Sequence, residues 1–200
     1  EKIKVPSPTS CPKCRFQRRM IWRNEKVFFK RKCDATGKEI FSMFPPAASV
    51  KVYDRDYWWS DQWNALGYGK EYDFSRPFFE QLKELIQKVP WPSKSFIFNV
   101  NSDYCMNCSN LKNCYFLFDA DYSEDSSYGV AIKRSKNCFD NFLIEDCELC
   151  YGCFFCTRCF KTFYSVDCED CQEVTLSKDC VNCSNCFGCV GLRNKSYYIF

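Results

Sequence analysis

The sequence predicts a mostly β protein with an α+β N-terminal part. A basic, zinc-ribbon-like module leads into a cysteine-rich β-solenoid of ~21-residue coils. Three observations predict this. Residues 147–159 read CELCYGCFFCTRC, with a cysteine at every third position. Units starting at Cys138, Cys159 and Cys180 are 21 residues each, and the unit starting at Cys114 is 24. Within them Phe, Tyr, Val, Thr and Cys alternate with breaks of Asn, Asp, Ser and Gly, which is strand-and-turn chemistry.

Composition bounds the rest. The chain has 200 residues, enough for a substantial core, with 46% hydrophobic and 26% charged residues and no run near the length of a membrane span. It carries 18 cysteines and no histidine. No signal or transit sequence is visible, so the expectation is a cytoplasmic protein with no membrane partner. The start at Glu1-Lys2 and the apolar end Tyr197-Tyr198-Ile199-Phe200 suggest a longer protein seen in part. Charge is unevenly spread. Residues 1–40 hold twelve Lys/Arg against four Asp/Glu, and the remainder sixteen against twenty-one.

Three regions follow in order. Residues 1–44 form a basic segment, extended at its Pro-rich start, with short strands at Val27–Phe29 and Ile40–Phe41 around a turn at Asp34–Gly37. Residues 45–92 form an aromatic-rich α+β module with one helix near 76–88. Ser75 is its candidate cap, Pro77 suits its first turn, and Phe78, Phe79, Leu82, Leu85, Ile86 and Val89 share a face. Pro90 and Pro92 close it. Residues 93–200 hold the repeats and fifteen of the cysteines.

Residues three apart point to opposite faces of a flat strand, so the cysteine spacing suits a tight path with repeated corners, where each third side chain turns inward. A 21-residue coil would stack Cys147 over Cys168 over Cys189, and Cys150 over Cys171. Three readings stand. Cysteine packs the interior as a small apolar residue. Alternatively Cys147, Cys150, Cys168 and Cys171 form a four-thiolate site for Zn2+ or an iron–sulfur cluster. In the third reading, stacked cysteines are disulfides.

CPKC, Cys11 to Cys14, is half of a zinc knuckle, with Cys33 as a candidate third ligand. A redox pair is the other reading of this motif, although no βαβ context accompanies it. VPSPTSCPKCRFQRR resembles the second half of the small probable-zinc-ribbon family, in which an upstream CxxC supplies the other two ligands. Together with CDATGKEI, VYDRDYWWSDQW, YGKEYDFSRPFFEQ, KNCY and CSNCFGCVGLRNKSYYIF, the chain resembles a family of uncharacterised cysteine-rich proteins common in candidate-phyla bacteria. The resemblance covers nearly the whole chain and implies a slightly longer one at both ends. It brings no activity with it.

Arg15, Arg18, Arg19, Arg23, Lys30, Arg31 and Lys32 follow the half-site, with Phe16, Trp22 and Phe28 as stacking surfaces. This pattern predicts nucleic-acid binding, RNA or a ribosome ahead of DNA, since no groove-reading helix motif is present. Its bland counterpart is a solvated face, or arginines pairing with the acidic later regions. Asp54, Asp56 and Asp61 among the aromatics of DRDYWWSDQW read either as a sugar-binding cleft or as an aromatic core with polar ends. With no histidine, phosphate loop or nucleophile elbow, the chain does not read as an enzyme. The sequence therefore points to a metal-binding, RNA-contacting protein with a rigid cysteine-ladder platform. A multi-metal or iron–sulfur carrier and a protein-interaction scaffold are the alternatives.

Overall fold

In a computed structural model, the described residues are 7–21, 24, 26–158, 160–170 and 172–200. With 30% strand and 15% helix, the protein is mostly β or small α+β. Helix α1 (Pro12–Met20) opens on the CPKC motif, with Cys11 as its N-cap and a proline at its start. Strands β1 (Phe29–Lys32) and β2 (Glu39–Ser42) pair antiparallel around Gly37, whose φ of 71° the turn requires. Strand β3 (Val52–Tyr53) pairs parallel with β4 (Trp91–Pro92). Cys33, Ile40 and Val52 form the small core beneath them.

Between β3 and β4 lie α2 (Arg55–Trp58), a 3-10 turn (Ala65–Tyr68) and α3 (Phe78–Lys88). The helix expected near 76–88 is present, but Ser75 does not cap it. Pro77 is the N-cap, while the Ser75 hydroxyl donates to Asp73 Oδ1 at 2.6 Å. The apolar face of α3 is largely open, with Phe78, Phe79 and Ile86 exposed. VYDRDYWWSDQW folds as an aromatic cluster. Trp63 packs on Tyr53, Trp58 and Tyr68 at 5.7, 5.7 and 6.0 Å. Its indole N–H donates to the Trp58 carbonyl at 2.6 Å, and that of Trp58 to the Pro90 carbonyl at 2.8 Å. Satisfied ring donors of this kind fit a core with polar ends.

From residue 96 onward the chain pairs with itself in parallel at a constant register of twelve. Strand β5 (Phe96–Ile97) pairs with β6 (Cys108–Ser109), β7 (Tyr115–Phe118) with β8 (Ser127–Val130), and β9 (Gln172–Thr175) with β10 (Ser184–Phe187). Single-residue bridges carry the same register between them, for example Phe139↔Tyr151, Tyr151↔Phe163 and Val181↔Arg193. The expected 21-residue coil is therefore corrected to a 12-residue rung. Both numbers are multiples of three, and three is the true unit. One residue in three bridges, the next sits in the left-handed region, and the third is turned inward. Asn137, Asp140, Leu143, Asp146, Leu149 and Gly152 all have φ between 47° and 64°. Ser135, Cys138, Asn141, Ile144, Cys147, Cys150 and Cys153 are buried. A left-handed residue bends the chain, so each rung has four three-residue sides and four inward positions. Asn, Asp and Gly recur at the corners because they tolerate that conformation best.

The hairpin packs on the first rungs. Phe41 meets Tyr104 at 5.2 Å and Phe28 meets Phe118 at 5.9 Å. The Arg55 guanidinium lies over the Phe96 ring at 4.4 Å and donates to the Phe96 carbonyl at 3.1 Å.

Candidate functional site

The spacing of CELCYGCFFC now has a physical cause. Cys147, Cys150, Cys153 and Cys156 are the four inward residues of a single rung, all buried. So narrow an interior admits small side chains, and it places a second demand on them. On each side the bridging and corner N–H groups join the ladder, as when Phe139 N–H donates to the Cys150 carbonyl at 2.9 Å and Leu143 N–H to the Val130 carbonyl at 2.9 Å. The inward N–H is left over. Where the inward side chain one rung earlier carries an oxygen, that oxygen meets it: Cys138 N–H donates to Ser126 Oγ at 3.1 Å, Cys153 N–H to Asn141 Oδ1 at 2.9 Å and Cys189 N–H to Ser177 Oγ at 3.1 Å. Buried backbone donors need such partners.

Cysteine and serine behave alike here. The Cys108 thiol donates to the Met106 carbonyl at 3.1 Å and the Cys147 thiol to the Glu145 carbonyl at 3.1 Å, as the Ser165 hydroxyl does to the Phe163 carbonyl at 2.9 Å. Cysteine adds apolar surface to the same geometry. Some of these thiols are held protonated, whereas Cys105 is shifted the other way by its bond with Cys108. A hydrogen bond with Cys150, then burial, pushes the Cys138 thiol up, and burial pushes up those of Cys114 and Cys180.

The proposed quartet is not gathered by this register. Counting by twelve, Cys150 stands in line with Cys138 and Thr162, and Cys168 with Cys156 and Cys180. Cys147 and Cys168 occupy different columns, and Cys171 lies outside the described residues. Among the described residues, no group of three or more Cys, Asp or Glu side chains is placed to hold a metal ion.

Cys11 and Cys14 are both exposed, and Cys14 N–H donates to Cys11 Sγ at 3.4 Å. That backbone N–H, followed by the Cys14 side chain, holds the Cys11 thiol below its ordinary value. An exposed, thiolate-favouring CxxC at a helix start fits two ligands of a metal site. Cys33 is not brought to them. It is buried in the core under the hairpin, where its sulfur accepts the Asp54 N–H at 3.1 Å. Burial raises its pKa, but the Thr36 hydroxyl and the N–H groups of Asp54, Thr36 and Ala35 outweigh it and leave the thiol below its ordinary value.

The basic residues divide. Arg15, Arg18 and Arg19 are exposed on α1, where i, i+3 and i+4 spacing puts them on one side. Arg19 stacks on Phe16 at 5.8 Å. Lys30 and Lys32 point outward from β1, Lys30 lying 3.6 Å from Glu39. Arg31 points inward, 7% exposed, with its guanidinium donating to Asp34 at 3.0 Å and to the Pro45 carbonyl at 3.2 Å. It is committed to holding the hairpin. Arg23 lies outside the described residues.

One feature the sequence reading missed is a line of aromatic rings along the ladder. Tyr104, Tyr115, Tyr128, Phe139, Tyr151 and Tyr164 touch in succession, with ring centroids 5.5, 5.6, 5.1, 5.8 and 5.1 Å apart. Each ring comes from a successive rung. Gly152 makes room for the last of them, since a Cβ there would lie 3.0 Å from Tyr164 Cδ1. On neighbouring sides charges alternate up the ladder instead: Lys112 meets Glu124 at 2.6 Å, and Lys136 meets Glu124 at 3.6 Å. Among the described residues no helix is long and apolar enough to cross a membrane. No protein-family model matches the chain, and no curated protein does.

Proposed function

We propose that the chain is a non-enzymatic binding protein in which α1 presents arginines to RNA and a β-solenoid of twelve-residue coils serves as its rigid mount. The observation that carries this reading is α1 itself. It is a helix with no buried residue, begun by an exposed CxxC and carrying Arg15, Arg18 and Arg19 together. Guanidinium groups grouped on an exposed helix suit phosphate oxygens, and Phe16 adds a ring for a base. Lys32 and Lys30 extend the basic surface, whereas Arg31 is engaged internally.

Cys11 and Cys14 would hold one Zn2+ together with two ligands from outside the described residues. The ion would supply a fixed helix start through its thiolate bonds. The ladder thiols have a packing role in this reading, supported by their burial and their hydrogen bonds to backbone carbonyls.

The test is binding of a structured ribosomal RNA fragment across a salt series. The logarithm of the affinity should fall linearly with the logarithm of salt concentration, and charge reversal of Arg18 and Arg19 should abolish binding. Absence of any salt-dependent RNA binding would overturn the reading. Elemental analysis, with Cys11→Ser as control, tests the metal. A coloured, iron-containing preparation would instead establish a carrier of clusters.

A further inference from the structure

The aromatic line has the composition of a ligand platform, and its surroundings select the ligand. A shallow depression of about 320 Å³ lies on it, with Phe139, Tyr151 and Phe163 from three successive rungs and Asn137 and Lys161 beside them. Tyr164 and Asp140 flank the same rings from the following corners, and the Tyr151 hydroxyl bonds to that of Tyr164, which together with the Asp140 charge pushes its pKa up. Phe139, Phe163 and Tyr164 are exposed.

We propose that this face binds a linear, uncharged polysaccharide, whose sugar rings lie along the aromatic line and whose hydroxyls bond to Asp140, Asn137 and the tyrosine hydroxyls. Three features favour this occupant. A pyranose has an apolar C–H face that stacks on aromatic carbon and a rim of hydroxyls that both donate and accept. The platform matches this pairing, with rings for the faces and a carboxylate, an amide and phenols for the rim. The repeat is linear, one ring per rung at a strand spacing of about 4.8 Å, so a polymer with a regular unit is engaged many times while a compact partner is not. The charge is wrong for a polyanion. Lys161, the cation in the depression, is neutralised by Glu173 at 2.9 Å, so no free positive charge faces a ligand there. Single-stranded RNA needs a basic groove as well as rings. This inference is independent of α1, whose arginines are tested separately.

The probes are neutral β-linked hexasaccharides of glucose, xylose and N-acetylglucosamine, titrated calorimetrically into the intact chain. Oligogalacturonate, oligouridylate and a proline-rich decapeptide serve as competitors of other classes. At least one neutral hexasaccharide should bind, independently of salt and more tightly than its trimer. Phe139→Ala and Tyr151→Ala should each weaken binding about tenfold, the effect of losing one ring contact of ordinary strength. Tyr151→Phe, which keeps the ring and the packing, should weaken it less. Lys112→Ala, on a charged side of the ladder, should leave it unchanged. The proposal fails if no neutral hexasaccharide binds, if binding survives both ring deletions in variants that melt like the parent, or if the face prefers either polyanion or the peptide.

Discussion

Gly129 and Ile132 occupy consecutive inward positions of one rung, and the isoleucine fills the space that the glycine leaves. A Cβ on Gly129 would overlap Ile132 Cδ1 and approach the Asn141 carbonyl at 3.2 Å. Ile132 is fully buried. Gly129→Ala should therefore destabilise the protein by about 1–3 kcal/mol through overpacking. Adding Ile132→Val should recover part of the loss. Denaturant midpoints for the two single variants and the double variant give the coupling, and strict additivity would count against this packing.

The inward N–H groups give a second expectation. Ser177 Oγ accepts from Cys189 N–H at 3.1 Å and donates to the Thr175 carbonyl at 3.0 Å. Ser177→Ala should cost about 1–3 kcal/mol, since it strands a buried donor. Ser177→Cys should cost less, because a thiol repeats the geometry seen at Cys147. Faster amide exchange at Cys189 in the alanine variant checks the mechanism.

Corners are the converse case. Leu176 has φ 53° and is largely exposed, so its side chain returns little for a strained backbone. A left-handed L-residue costs roughly 1–2 kcal/mol, and Asn tolerates the region better. Leu176→Asn should raise the melting temperature, corresponding to a gain of up to about 1 kcal/mol. A fall would show that Leu176 makes contacts that outweigh the strain.

Thiol chemistry separates the two cysteine populations. Cys11 and Cys14 are exposed, and Cys11 is held toward thiolate. In the folded protein stripped of metal by a chelator they should be alkylated first, with Cys11 reacting below the pH typical of a free thiol. The buried cysteines should react only on unfolding. Mass spectrometry after a brief alkylation reads out the order, and early labelling of Cys138 or Cys147 would contradict the closed interior.

Stability should fall on the alkaline side. The thiols of Cys114, Cys138, Cys180 and Cys189 are held above their ordinary pKa, Cys138 by its bond to Cys150 and the others by burial. The unfolded chain loses these protons near pH about 8.5 while the folded one keeps them. Their stabilisation is thus complete below that pH and is lost as pH rises through the folded values. Cys33 and Cys105 are shifted the other way and oppose the trend. Denaturant midpoints between pH 7 and pH 10 should decline, and a flat or rising profile would refute this.

Much of this was legible in the residues. Cysteine at every third position in CELCYGCFFC already implies corners, because neither a flat strand nor a helix could point those side chains one way. The rung length was not legible. Self-similarity at 21 preserves the inward phase, and closure at twelve depends on four left-handed corners that accept Asn137, Leu143 and Lys161 alike. The aromatic line escaped for a related reason. Its rings switch between bridging positions, such as Tyr115 and Phe139, and corner positions, such as Tyr128 and Tyr164, so no constant interval marks them. Arg31 was misread as surface charge, although alternation along β1 turns it inward with Phe29.

The three-residue unit also governs what the molecule tolerates. Removing or adding three residues would rotate every later residue by one side of the rung while leaving inside as inside and corner as corner. Hydrophobic burial therefore cannot by itself tell one alignment of the rungs from another. That discrimination falls to features specific to a column. Lys112 facing Glu124 and Arg134 facing Asp146 at 2.7 Å would be set against the wrong neighbours after a slip. Surface pairs that contribute little to stability thus act as the alignment marks of the whole stack.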